Sequence, residues 1–251
     1  MVKEELTMDF WRPYTDNDLG SDLAGLCYPW RNAGKEAELV SMTVDENRII
    51  SRYRLPGRLG RSEATVSYLV GGNGKIDLEL EFLPSSDTLP LMPRFGVTLT
   101  LQGEYERVRW FGRGPHASYE DRKSGAFVGL YEGSVWEQYF PYDRPQENGN
   151  KTDVRWMTVY SGNGGLKATG DPVISTSVYM FPNDDLAEPG PGKHQRHLSD
   201  VRKKDMVTWN IDLKQMGVGG DNSWGAIPHQ QYLIPAGRMT FRFSLEPSRS
   251  R

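Results

Sequence analysis

Carboxylates are the first residues to consider for chemistry in this chain. Glycoside hydrolysis takes two of them, roughly 5 to 9.5 Å apart across the bond, and Glu120, Asp121, Asp143 and Glu147 fall within one stretch. Abundance alone does not pair them. The segment Pro141-Tyr142-Asp143-Arg144-Pro145-Gln146-Glu147-Asn148-Gly149-Asn150 is stiffened by its prolines and dense in hydrogen-bonding side chains. It reads either as a polar loop shaping a sugar site or as a buried network pinned through Glu147 and Asn148. The second reading is preferred, because buried polar groups left unpaired are costly. Trp110-Phe111-Gly112-Arg113-Gly114-Pro115, with Tyr119, Asp121 and Arg122 after it, offers an aromatic groove lined by arginine. The preferred alternative is a turn in which Arg113 or Arg122 pairs with a carboxylate such as Asp121.

Other constellations carry less. His194 and His197 stand three residues apart, a metal-ligand spacing only on a helix, and the Pro/Gly run before them opposes one. Asp16-Asn17-Asp18-Leu19-Gly20 has oxygens enough for calcium but lacks the spacing of a twelve-residue calcium loop. It reads as a turn, or as the root of a mobile loop ending at Gly20. No phosphate-binding glycine motif and no GxSxG elbow is present. Cys27 is the single cysteine, so neither an intrachain disulfide nor a cysteine metal cluster forms. No catalytic residue and no metal ligand is assigned.

One stretch stands apart: Gly217-Val218-Gly219-Gly220-Asp221-Asn222-Ser223-Trp224-Gly225. Four glycines surround one large aromatic, at a cost in folding entropy. Either a tight turn tucks Trp224 into the core, or a loop lifts it into a ligand site.

The elements that must position these residues are strands. Ile76, Leu78, Leu80 and Phe82 alternate with acidic residues, Val97, Leu99 and Leu101 with threonines. Trp209, Ile211 and Leu213 alternate with Asn210, Asp212 and Lys214, and Met239, Phe241, Phe243 and Leu245 with polar residues. Period two predicts half-buried antiparallel strands. Asn73-Gly74 and Ser161–Gly165 predict hairpin turns. A short helix is expected near Leu23 to Lys35, interrupted at Pro29, and residues 183 to 204 read as a loop. An all-β fold of two large antiparallel sheets follows, in one domain spanning 1–251. A net charge of −3 with mixed signs gives no footprint for nucleic acid, and no apolar run is long enough to span a membrane. The polar Met1-Val2-Lys3-Glu4-Glu5 is unlike a signal peptide. The expected compartment is the cytoplasm, or the periplasm if a signal lies on another part of the polypeptide or on a partner.

Five segments in order carry a resemblance: FWRPYTDNDLG from Phe10, WFGRGP from Trp110, YEDRKSGAFVGLY from Tyr119, PYDRPQENGNKTDVRW from Pro141, and MGVGGDNSWG from Met216. Over about Phe10 to Leu245 the chain resembles the C-terminal domain, or small chain, of family-two glycoside hydrolase β-galactosidases. The resemblance implies a large antiparallel two-sheet supersandwich like that of galactose mutarotases. It implies that both catalytic glutamates, and the magnesium and sodium sites, lie in a partner (β/α)8 barrel, with no cofactor in this chain. That agrees with the residues themselves, because a barrel alone takes about 250 residues of alternating strand and helix. The implied partners are a β-galactoside substrate such as lactose and the barrel-bearing chain or domain. The implied substrate-binding residues are Trp224, as an aromatic platform on the aglycone side, with Ser223 and Asn222, and Gly20 and Ser21 at the root of a loop that moves.

Two departures stand out. Ala117 replaces the glutamate usual in the family's GPxExY turn, so a local ion pair or hydrogen bond is expected to be missing. Phe10 also follows almost directly on Met1, where the family carries further residues of this domain. That predicts the absence of early strands and an open sheet edge. Two alternatives of other kinds remain: a free-standing carbohydrate-binding module, and an aldose 1-epimerase using a glutamate base and histidine acid such as Glu147 and His229.

Overall fold

A computed structural model describes residues 1–188, 194–222 and 225–249. The chain is nearly all β. Its strands are β1 (Val2–Asp9), β2 (Glu38–Asp45), β3 (Arg48–Arg54), β4 (Glu63–Val70), β5 (Ile76–Leu83), β6 (Arg94–Gln102), β7 (Arg107–Gly114), β8 (Phe127–Ser134), β9 (Lys151–Ser161), β10 (Gly164–Tyr179), β11 (Met206–Gln215) and β12 (Met239–Ser248). All pair antiparallel. The predicted turns close β4 onto β5, where Val70 faces Ile76, and β9 onto β10, where Ser161 faces Gly164.

The strands form one branched sheet with the order β1-β6-β11-β10-β12-β5-β4-β3-β2, and β9, β7 and β8 leave it from β10. β10 is the junction. Its first half pairs with β12 and its second half with β11, while β9 follows it along both. The two layers expected from the sequence are therefore arms of one curled sheet. Phe82 on β5 and Phe95 on β6 lie far apart in strand order, yet their rings are 6.4 Å apart. Phe10 packs on both, at 6.1 and 6.0 Å, and Trp30 edges against Phe82 at 5.7 Å. This aromatic group joins the arms by burying large apolar area.

Period two holds on β5, where Leu78, Leu80 and Phe82 are buried and Asp77 is exposed. It misleads on β11. Asn210 and Asp212, expected on a solvent face, are both buried. Asn210 donates to Ser177 Oγ at 2.9 Å and accepts from Thr98 Oγ1 at 2.8 Å. The polar face of β11 is covered by loops and supports them.

The α-helical content is slight and, among the described residues, lies in the segment between β1 and β2. α1 (Asp16–Gly20) begins with a capping box. Thr15 Oγ1 accepts from the Asp18 N–H, and the Asp18 carboxylate accepts from the Thr15 N–H at 2.9 Å. The DNDLG stretch read as a turn is thus a capped helical turn. α2 (Leu23–Leu26) follows, then a 3-10 turn over Tyr28–Trp30 with Pro29 in its first turn. These two turns stand where a short helix near Leu23 to Lys35, interrupted at Pro29, was expected, and Leu23 and Trp30 anchor them in the core. No helix among the described residues is long and apolar enough to cross a membrane.

Candidate functional site

The loops that the sequence singles out converge on one face, over a buried charged floor. Arg94, at the start of β6, is fully buried. It donates to Asp9 at 3.0 Å and Glu147 at 3.5 Å, and its Nε lies 3.3 Å from Asp212. Glu147 also accepts from the Tyr119 hydroxyl at 3.0 Å and from Gln215. Burial pushes the Glu147 carboxyl up, opposed by Arg94 and Arg12. Asn148 takes the Phe140 N–H on its side-chain oxygen, and Asn150 donates to Ser118 O and Ser175 Oγ, each at 2.9 Å. The 141–150 loop is pinned from below, as the preferred reading had it. Glu147, with no exposed side-chain surface, is structural.

Above this floor sits the glycine-rich loop. Arg12 donates to the Met216 carbonyl, to the Gly217 carbonyl at 2.8 Å, and to both Asp18 oxygens at 3.1 and 3.2 Å. It ties the start of the loop to α1. The Asp121 carboxylate accepts the Val218 and Gly219 N–H groups, both at 2.8 Å. Asn17 Nδ2 donates to Val218 O at 3.2 Å. On the far side, His229 bonds Asp221 at 2.8 Å and stacks on Tyr232, and the Tyr232 carbonyl accepts the Gly217 N–H. Glycine is required at Gly220, where a β-carbon would come within 2.2 Å of the Ala226 carbonyl oxygen. Gly225 adopts φ +112°, a region side chains disfavour. Two shallow clefts of about 340 and 250 Å³ flank the loop, sharing Asn17, Arg122 and Val218 in their walls.

Of the residues assigned from sequence, Gly20, Ser21 and Asn222 are among those described. Gly20 ends α1, and Ser21 caps it, its hydroxyl donating to Asn17 O at 2.8 Å. A β-carbon built on Gly225 would lie 3.7 Å from the Gly20 carbonyl oxygen. Asn222 is exposed on the same loop. Ser223 and Trp224 lie outside the described residues.

Other assignments fall elsewhere. Arg113 pairs with Asp153 at 2.5 Å rather than with Asp121, which serves the loop N–H groups instead. Arg122 lies over the Tyr119 ring at 5.5 Å. His197 is extended ahead of a 3-10 turn. Cys27 is buried, its thiol pushed up to about 12 by desolvation. Among the described residues no group of three or more His, Cys, Asp and Glu is placed to hold a metal ion. Ala117 lines a third cleft with Lys151. The roles of Arg12 and Asn17 were not legible in the sequence, because nothing in a chain position shows that a side chain reaches a loop about two hundred residues away.

Residues 1–245 match the family described as beta galactosidase small chain. The chain belongs to that family. Among curated relatives, this small chain is 37% identical to a beta-galactosidase of Priestia megaterium, a match covering 95% of this chain and 23% of the relative. It is also 37% identical to one of Lactobacillus delbrueckii subsp. bulgaricus, covering 90% and 22%. The small chain thus spans about a quarter of the length of these relatives. A solved GalM/aldose epimerase homologue from C. elegans is similar over 86% of this chain and 69% of that one, at 12% identity and a TM-score of 0.46.

Proposed function

We propose that this small chain completes the active site of a β-galactosidase whose bond-breaking carboxylates lie on a barrel-bearing chain or domain. The observation that carries the reading is the approach of Gly225 to Gly20. It sets the two assigned loops side by side at an exposed face, on a base fixed by Arg12 and Asp121. In this reading Trp224 offers an indole face to the C–H groups of a sugar on the aglycone side, with Asn222, Ser223, Gly20 and Ser21 around it. Membership of the small-chain family supports it. So does the engagement of Glu147, the glutamate considered as an epimerase base, which is buried and committed to Arg94 and Tyr119.

The test is cleavage of a nitrophenyl β-galactoside by the chain alone and by its mixture with a barrel-bearing large chain, with galactose anomer exchange followed in parallel. Activity only in the mixture is expected. Hydrolysis by the chain alone, or anomer exchange by the chain alone, overturns the reading, and sugar binding with no turnover in either preparation points to a binding module instead.

A further inference from the structure

A cleft of about 630 Å³ opens between the 115–126 turn and the 137–149 loop, and it shares Asp121, Arg122 and Tyr142 with the two clefts that flank the glycine-rich loop. Lys151, the first residue of β9, lines it and is 2% exposed. Its ammonium donates to the Gly149 carbonyl at 2.9 Å and lies 5.4 Å from the centre of the Trp110 ring. Among the described residues no carboxylate stands within ion-pair distance of it. A buried ammonium without a counter-charge is costly, and desolvation pushes it down to about 7.

The two acids that line the cleft each accept backbone N–H groups. Asp121 holds the Val218 and Gly219 N–H groups, and Glu137 accepts the Ser134 N–H at 2.7 Å. Lys123 is already paired with Glu120 and Asp153. Ala117 contributes only a methyl group to the wall. At the mouth, Phe140 is 57% exposed and its ring centre lies 4.6 Å from that of Tyr142, both facing the cleft. Such a pair suits the C–H face of a sugar-sized ring, and the volume falls within the usual range for small-molecule sites.

We propose that this cleft binds a small organic acid of the acidic-monosaccharide class, its carboxylate on the Lys151 ammonium and its ring against Phe140 and Tyr142. One buried ammonium matches one monoanionic carboxylate. A phosphate would demand further buried donors that the cleft does not provide. The proposal rests on Lys151 and not on the β-galactoside reading, so either can fail without the other.

The experiment titrates the full chain with galacturonate and, in parallel, with galactose, which has the same ring and a neutral arm. Chemical shifts of the Lys151 side chain and of the Phe140 and Tyr142 rings are followed at about pH 6.5, where the ammonium is mostly protonated. Galacturonate shifts these signals saturably and galactose does not. Lys151→Met, which leaves the cleft apolar, weakens galacturonate by about tenfold or more, as loss of a charge-assisted bond requires. Ala117→Glu, which places a competing carboxylate in the wall, weakens it as well. Equal responses to the two sugars, no response to galacturonate, or undiminished binding by either variant overturns the proposal.

Discussion

Arg12 reaches both carboxylate oxygens of Asp18 through Nη2, while Nη1 and Nη2 donate to the carbonyls at the root of the glycine-rich loop. Both side chains are almost wholly buried. One guanidinium therefore sets α1 and the loop against each other, and with them Gly20 and Gly225.

Breaking that pair on one side leaves the other charge buried and unpaired. Arg12→Met or Asp18→Asn is expected to cost about 3 to 5 kcal/mol in urea unfolding. The double variant Arg12→Met/Asp18→Leu is expected to cost less than the sum of the two. Additive losses would show that the two side chains act separately.

Asp121 accepts two successive loop N–H groups. Asp121→Asn keeps one acceptor oxygen but loses the charge, which is worth about 1 kcal/mol or more over a neutral bond. Hydrogen exchange at Val218 and Gly219 is expected to accelerate several-fold while the strand amides of β11 stay protected. Unchanged exchange at those two amides would remove Asp121 as the anchor.

The fold class was legible because β5 and β12 keep strict alternation, and because the turns at Asn73-Gly74 and Ser161–Gly165 lie where the chain reverses. The burial of Asn210 and Asp212 was not legible. Alternation says which side chains share a face, and nothing about what later covers it. The capped helical turn at Asp16–Gly20 carried a readable signal, since Thr15 stands three residues before Asp18, a short-armed version of the capping box. The pinning role of Glu147 and Asn148 was readable from the density of polar groups. Their partners Arg94 and Tyr179 were not, because ion pairs and hydrogen bonds across the sheet leave no trace in spacing.

Lys151 makes stability depend on pH in an identifiable window. Its pKa falls from 10.5 to about 7 on folding. Between those values the unfolded chain binds the extra proton, so stability rises with pH, by up to about 1.4 kcal/mol per unit from this group. Below about pH 7 the cost is at its full value. Lys151→Met is expected to raise stability at pH 7 and to flatten the climb toward pH 10 in denaturant unfolding. A variant with the same slope as the parent chain would show that the ammonium stays protonated in the fold.

The central claim is that Trp224 serves the substrate of an assembled β-galactosidase. Its most direct test is Trp224→Ala in the reconstituted enzyme, measuring KM and kcat for a lactose analogue and the rate of galactosyl transfer to an acceptor sugar. Loss of an apolar aromatic contact of about 1 to 3 kcal/mol predicts affinity or transfer weakened by roughly 5- to 150-fold, with the assembly intact. Hydrolysis and transfer unchanged from the parent enzyme would contradict it.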